Sequence, residues 1–354
     1  MAGSIINGVR IAGISAAVPA GSQAVEPGFR TTLAELEKII EKTGVKRRHI
    51  SKVDICTSDL CATAAQQLLP KLGWELESVD LLIFVSQTPD HFLPATSCVL
   101  HGKLGLSKSC AAFDISLGCS GYVYGLNVAV GLLAAGAYRR ALLLVGDTIS
   151  KVVSPEDRSV AYVFGDAGSA TALERADSAG AMVFELGTDG TGTEHLKVPA
   201  GGFRCRSGPH TMLLKEQEAG NRRSEEHLFM NGAEIFNFTI REVPSLINAL
   251  IARAGWSADS IDYWVMHQAN RFMLEHLGRR MKLPPDKTVI ALENYGNTSC
   301  ASIPLALADR FGGVRPLGPG RLVLAGFGVG YSWAGVALDL RDAVVLPVLE
   351  YSSL

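Results

Sequence analysis

Three short stretches put reactive residue types where a chain usually opens a crevice. Residues 114–126 read DISLGCSGYVYGL. An apolar run ends just before Cys119 and a helix-like run starts just after it, with Gly118 and Gly121 permitting a sharp turn. A thiol at a helix N-terminus meets the macrodipole and free N–H groups, so its pKa is expected to be lowered. This is the logic of a nucleophile elbow with sulfur in place of oxygen. The competing reading is a buried, inert cysteine, the commoner fate of a free thiol. The second stretch, IDYWVMHQAN, ends an apolar strand on His267. A neutral imidazole there can donate a hydrogen bond to a thioester carbonyl or exchange a proton with the thiol. The third, ENYGNTSCAS, places Asn297 in a polar turn before a helix, where an asparagine alone reads as a cap. Near the C-terminus, AGFGVGYSWAG has glycines at 326, 328 and 330. They would let backbone N–H groups face a ligand as an oxyanion hole does, or simply form a turn with a glycine bulge.

Strands and helices must carry these groups. Short β-rich apolar runs recur at 79–86, 111–116, 140–147, 169–174, 261–267, 287–292, 321–327 and 335–340. Helical patterns fill 31–43, 58–72, 120–136, 233–254, 271–282 and 301–311. Buried strands alternating with helices predict an α/β layered fold. Cys119, His267 and Asn297 all follow or end strands, and sites in such folds form beyond the carboxyl ends of strands. The chain also repeats itself. GWELESVDLLIFVS starts at Gly73 and GWSADSIDYWVMHQ at Gly255, and ALLLVGD from Ala141 pairs more weakly with RLVLAGF from Arg321. A duplicated unit of about half the chain follows, with halves 1–178 and 179–354. A pseudo-twofold arrangement of those halves could bring the three residues to one crevice.

The rest of the sequence sets bounds. Its 354 residues are 47% hydrophobic and 19% charged, ample for a large core. A formal net charge of −2 gives no general attraction for nucleic acid or anionic membrane. Seven scattered cysteines, an odd number with no C-x-x-C pair, argue against a disulfide framework or structural zinc and for a reducing compartment, the cytoplasm. The start reads as a first strand and not a signal peptide. The apolar stretch GYVYGLNVAVGLLAAGAY carries four glycines and an Asn and reads as a buried helix, not a membrane span.

Taken together, GCSGY, HQANR and NYGNTSCASIPLAL resemble the β-ketoacyl-acyl carrier protein synthase III family, initiating condensing enzymes of the thiolase fold. KTGVKRRHI, SPEDRSVAYVFGDAG, MNGAEIFNF and GFGVGYSWAG extend the likeness over most of the chain. The resemblance implies two pseudo-symmetric halves in a five-layered α-β-α-β-α unit, normally a homodimer, and a ping-pong reaction without metal or cofactor. Cys119 would take an acyl group from acyl-CoA. His267 and Asn297 would stabilise the enolate formed when malonyl-acyl carrier protein loses CO₂, and the carbanion would attack acyl-Cys119. Backbone N–H groups of Cys119 and Val329, the latter aligned with a family glycine, would form the oxyanion hole. Arg158 matches a CoA-contacting arginine. Where the family's CoA site has a tryptophan and an arginine, this chain has Lys38 and Lys42. Leu93 stands near a family acyl-pocket position that is often aromatic, and Ala233 replaces a usual Asn. Arg271, Arg279 and Arg280, with Lys282, form a basic helix face for an acidic carrier protein, or a plain solvated face. The segment 201–227 is longer and more polar than its family counterpart and reads as a lid, a dimer contact or a surface loop.

Two other readings share these residues. One is a same-fold acyltransferase that moves the acyl group from Cys119 to an amine or hydroxyl without condensation. The other is a non-catalytic scaffold subunit, which the presence of Cys119, His267 and Asn297 together weakens.

Overall fold

The Gly-Trp repeat is the joint on which each half of the fold turns. In the computed structural model, which describes residues 1–313 and 320–351, Gly73 closes the helix Thr57–Leu72 and Gly255 closes Gly232–Ala254. Both are left-handed at φ 65, a conformation that favours glycine. Trp74 lies under the Arg140 guanidinium at 4.5 Å and Trp256 under that of Arg321 at 5.1 Å. One 3-10 turn then leads to an aspartate in each copy. Asp80 accepts from the backbone N–H groups of Arg139 and Arg140 at 2.8 and 3.0 Å, and Asp262 from that of Arg321 at 2.8 Å. Each carboxylate thereby fixes the start of a neighbouring parallel strand. Leu81–Val85 pairs with Arg140–Asp147, and Tyr263–Met266 with Arg321–Gly328.

Two sheets result. One runs Val344–Val345, Val9–Pro19, Ala167–Arg175, Arg140–Asp147, Leu81–Val85, Ala111–Ile115, with Leu349–Tyr351 also on Val9–Pro19. The other runs Ala2–Ile6, Met182–Thr188, Ser332–Asp339, Arg321–Gly328, Tyr263–Met266. The chain passes from the first to the second between Arg175 and Met182. Its ends do not respect a cut at 178/179, however. Ala2–Ile6 pairs with Met182–Thr188 in the second sheet, and the strands at 344–351 return to Val9–Pro19 in the first.

Between the sheets lie the helices Gly121–Ala134 and Ser302–Phe311. Tyr122, Leu126 and Val130 from one, and Ile303 and Leu307 from the other, join side chains of both sheets in a single core. A helix apolar nearly all round belongs in such an interior. The helices Thr57–Leu72 and Thr96–Leu104 cover the outer face of the first sheet, and Gly232–Ala254 and Arg271–Met281 that of the second. The layers are therefore α-β-α-β-α. Among the described residues no helix is long and apolar enough to cross a membrane.

One expected strand is not formed. KTVIAL makes a single bridge, Thr288 to Trp264, and runs into the short helix Leu292–Tyr295. The Gln268 side chain takes the place of a neighbouring strand. Its amide nitrogen donates to the carbonyls of Met266 and Val289 at 2.7 and 3.2 Å, and its oxygen accepts from the Ala291 N–H at 2.8 Å. The helix Thr96–Leu104 and the strand Met182–Thr188 lie outside the expected runs, since neither shows a clean period.

Candidate active site

The nucleophile turn is packed on glycine. Cys119 sits between the strand Ala111–Ile115 and the helix Gly121–Ala134, with the Gly121 N–H donating back to the Gly118 carbonyl at 2.6 Å. The strand Arg321–Gly328 lies flush against it. A Cβ on Gly328 would stand 2.7 Å from the Cys119 sulfur, and one on Gly326 would stand 2.7 Å from the Cys119 carbonyl oxygen. Cys119 is buried, and that burial pushes its thiol up to about 11. The Val329 and Cys119 backbone N–H groups and the Ser299 hydroxyl pull the other way. The lowering expected of a helix N-terminus is therefore overruled. A thiolate here gives up its hydration, and that loss outweighs the nearby dipoles.

HQAN divides its labour by residue. His267 ends the strand Tyr263–Met266, and its N–H donates to the Ala325 carbonyl at 2.8 Å. Gln268 is the pseudo-strand described above. Asn270 caps the helix Arg271–Met281 by accepting from the Met273 N–H at 2.8 Å. The His267 ring is buried, and burial pushes it down to about 3, so it is neutral at pH 7. Its Nδ1 lies 2.7 Å from Ser302 Oγ, which also receives the Gln268 N–H at 3.4 Å. With its oxygen so engaged, the Ser302 hydroxyl can donate to Nδ1, which leaves the ring proton on Nε2.

Asn297 is held by its backbone. Its N–H donates to the Val163 carbonyl at 2.9 Å, and its carbonyl receives the Gly165 N–H at 3.1 Å. Its side-chain oxygen accepts from the Ser299 N–H at 2.9 Å, so the amide nitrogen is free to donate. Ser299 itself is left-handed at φ 52, at a cost of about 1–3 kcal/mol for a non-glycine residue.

Cys119, His267 and Asn297 line one cavity of about 560 Å³. Phe164, Leu196, Met230 and Phe327 give it an apolar wall, and Lys42, Arg158, Phe236 and Phe272 also line it. Ala233, where the resemblance expects Asn, is in the lining as well. Lys42 holds its ammonium 5.8 Å from the Phe272 ring, which packs on Phe236 at 5.5 Å. Arg158 donates to the carbonyls of Arg30 and Ala219 and to the Asn221 side chain. The last two partners belong to the segment 201–227, whose hairpin Lys215–Glu216/Arg222–Arg223 is further tied by Arg222–Glu156 and Arg223–Asp157 ion pairs.

The other expected positions lie elsewhere. Leu93 is 81% exposed and does not line this cavity; it lies on the surface beside Phe92, whose ring meets Phe203 at 5.7 Å. Arg271 pairs with Glu293 at 3.1 Å and Arg279 with Glu275 at 3.7 Å, which leaves Arg280 as the free charge of the three among the described ion pairs. No three His, Cys, Asp or Glu side chains gather as metal ligands among the described residues.

Two family models match the chain. The model described as 3-Oxoacyl-[acyl-carrier-protein (ACP)] synthase III matches residues 113–190, which hold Cys119, and the corresponding C-terminal model matches 251–340, which hold His267, Asn297 and Val329. A β-ketoacyl-[acyl-carrier-protein] synthase III of Caldanaerobacter subterraneus subsp. tengcongensis is 36% identical over 84% of this chain and 87% of its own length. The chain belongs to the β-ketoacyl-acyl carrier protein synthase III family. A solved 3-oxoacyl-(acyl-carrier protein) synthase from Burkholderia xenovorans LB400 matches it at 42% identity with a TM-score of 0.91, over 99% of each chain. A synthase III from Pseudomonas aeruginosa PAO1 matches at 31% with a TM-score of 0.77, over 95% of this chain and 99% of that one. The fold is thus the thiolase-like fold of these synthases. Within the synthase III site, sequence reasoning missed Gln268, Ser299 and Ser302. Their sequence neighbours do not single them out, since Gln268 follows His267 and Ser299 follows Thr298; all three are buried in the fold, where polar groups need hydrogen-bond partners.

Proposed function

We propose that this synthase III-family enzyme works in two stages. Acyl-CoA passes its acyl group to Cys119 and leaves as free CoA thiol, taking up the cysteine proton. Malonyl-acyl carrier protein then enters and loses CO₂. The resulting carbanion attacks acyl-Cys119, a 3-oxoacyl-acyl carrier protein leaves, and Cys119 regains a proton. The observation that carries this is the meeting of Cys119, His267 and Asn297 on one cavity. Decarboxylation leaves negative charge on a thioester oxygen, and a neutral Nε2–H and a carboxamide N–H stabilise it without being ionised. The Cys119 and Val329 N–H groups serve the tetrahedral oxyanion. No step calls for a metal or cofactor.

The finer assignments are part of the same proposal. The apolar cavity suits a pantetheine arm and acyl chain, with Lys42 and Arg158 on the side of the CoA phosphates. Arg271, Arg279 and Arg280 face the acidic carrier protein, with Arg280 contributing the least neutralised charge. The enzyme acts as a homodimer in the cytoplasm. Exposed Phe92, Leu93 and Phe203, at 71%, 81% and 70%, supply an apolar face for self-association, and the odd, scattered cysteines suit a reducing compartment. Leu93 shapes the acyl pocket through that interface. The two halves, 1–178 and 179–354 apart from their exchanged ends, descend from one duplicated unit.

Mass spectrometry after incubation with a series of acyl-CoAs tests the first stage: an acyl adduct is expected on Cys119 and none on Cys119→Ala. Malonyl-acyl carrier protein added to the acylated enzyme should release CO₂ and a product two carbons longer. Acylation without CO₂, but with transfer to an amine or hydroxyl, would replace condensation by simple acyl transfer. Absence of any adduct would refute catalysis at Cys119.

A further inference from the structure

Two buried groups beside the site take no part in the chemistry described so far, and they bond to each other. Asp147 ends the strand Arg140–Asp147 and is fully buried. Its Oδ1 accepts from the backbone N–H groups of Gln87 and Thr88 at 2.7 and 3.2 Å, and from the hydroxyls of Ser86 and Thr88 at 2.9 and 3.2 Å. Its Oδ2 accepts from the thiol of buried Cys300 at 3.2 Å. The sulfur's other acceptor, the Val85 carbonyl, is farther away at 3.7 Å. Both ends of the Cys300–Asp147 bond lead to the site. On the Asp147 side, Gln87 Oε1 fills the space that a Cβ on Gly118 would need, so the turn held by the carboxylate packs next to Cys119. On the other side, Cys300 lies in the turn between Ser299 and Ser302. The Ser299 N–H donates to Asn297 Oδ1 at 2.9 Å, and Ser302 Oγ lies 2.7 Å from His267 Nδ1. One loop thus orients both neutral donors, and a residue in its middle is bonded to the first sheet.

We propose that Cys300 is a positioning residue: its S–H donation to Asp147 holds the 297–302 loop so that Asn297 and His267 aim their N–H groups at one substrate oxygen. The role rests on the proposed decarboxylation but concerns only the placement of the loop. No proton moves along the bond. Burial first, and then the facing carboxylate, push the Cys300 thiol well above its ordinary range, so it remains a donor. Packing alone asks nothing of that hydrogen. Without it, Asp147 Oδ2 would keep none of the donors just named, and a buried acceptor left unpaired shifts its surroundings until it finds one. A shift of the loop misaims two donors at once, and donors that stabilise charge act only when they are placed in advance.

The test compares Cys300→Ala, which lacks the donor, with Cys300→Ser, which restores one in a smaller atom. Asp147→Asn attacks the same bond from the other end: it keeps an acceptor oxygen for the Ser86–Thr88 donors and turns an amide NH₂ toward Cys300. Thermal unfolding checks the folding of each, and either non-donating pair suffices if the other does not fold. In CO₂ release from malonyl-acyl carrier protein, Cys300→Ala and Asp147→Asn should each lower kcat about tenfold and leave KM in place, as for an interaction that matters in the transition state. Cys300→Ser should return close to the parent rate. Cys300→Ala added to Asp147→Asn should cost little more, since the bond is already broken. Alkylation of Cys119 by iodoacetamide, followed by mass spectrometry, should be unchanged in Cys300→Ala, because it does not read Asn297 or His267. A parent-like kcat in both single variants overturns the proposal. So does a Cys300→Ser rate as low as that of Cys300→Ala, a full second loss in the double variant, or an equal loss of Cys119 alkylation, which would mean general loosening. Hydrogen exchange of the 297–302 amides reads the bond without substrate and should speed about tenfold in Cys300→Ala but not in Cys300→Ser. A parent chain that released no CO₂ would sink the two-stage reaction, and exchange would still decide whether the thiol holds the loop.

Discussion

At neutral pH neither partner of the Cys119–His267 pair carries charge, since burial pushes the thiol up to about 11 and the imidazole down to about 3. This is not the resting thiolate–imidazolium pair of a cysteine protease. The nucleophile is formed only as it is used, and the imidazole serves as a neutral donor. Alkylation of Cys119 should therefore climb about tenfold per pH unit from pH 7 to 9, because the thiolate fraction does. A plateau from pH 7 upward, read by the same mass-spectrometric assay, would show a preformed ion pair. His267→Ala and Asn297→Ala should each lower decarboxylation of malonyl-acyl carrier protein about 100- to 1,000-fold, the usual loss for one oxyanion donor. Cys119 acylation should fall by a smaller factor, and CO₂ release against adduct formation separates the two. At this scale the sequence disclosed residue types well and environments badly. Cys119, His267 and Asn297 announce themselves by chemistry and flanking motifs. The degree of burial that reverses the expected thiol shift is a property of the second sheet, remote in sequence.

At the scale of elements, periodicity was legible wherever a segment has one constant environment. The helix Gly121–Ala134 is apolar nearly all round because both sheets pack on it, and Arg140–Asp147 is a continuous apolar run because both its faces are covered. What the pattern could not show was a side chain standing in for a strand. Residues 287–292 have strand composition, but Gln268 supplies the hydrogen bonds a neighbour would. Gln268→Leu should leave three buried backbone groups without partners and lower stability by roughly 3 kcal/mol or more, at 1–3 kcal/mol for each. Urea unfolding measures it; a loss below ~1 kcal/mol would mean that water or a shifted backbone takes over. The segment 201–227 gives a second element-scale expectation. Arg158 is the bolt between its 219–221 turn and the cavity mouth. Arg158→Ala should speed limited proteolysis within 215–223 about tenfold, since some 1.5 kcal/mol of local opening energy is lost with charge-assisted bonds. An unchanged cleavage rate would show that the Arg222–Glu156 and Arg223–Asp157 pairs suffice.

The whole molecule joins two sheets through one apolar layer, and that architecture governs its response to pH. The repeat was readable because Gly-Trp and Ser-x-Asp do the same mechanical task at both joints: they end a helix, seat an arginine and cap a strand. The exchange of chain ends was not readable, because Ala2–Ile6 and the strands at 344–351 are short, partly exposed pieces without a period of their own. Once the layers close, titratable groups are trapped in their neutral forms. His267 ordinarily titrates at 6.5 and here at about 3. Between those values the unfolded chain binds a proton that the folded chain refuses, so stability falls as pH drops below about 6.5. Cys61, Cys110 and Cys119 ordinarily titrate at 9.0, and burial raises them to about 12, 11 and 11. Above pH 9 the unfolded chain releases protons that the folded chain keeps, so stability falls again. Each group contributes at most about 1.4 kcal/mol per pH unit. Urea midpoints measured across pH should give a plateau between about 6.5 and 9 with a decline on both sides. Replacing Cys61 and Cys119 together by alanine should remove up to about 2.7 kcal/mol per pH unit from the alkaline decline, two groups' worth. An alkaline limb equally steep in the double variant would assign the decline to other groups, the thiols of Cys110 and Cys300 first and then the tyrosines Tyr122 and Tyr295, all of which burial pushes up.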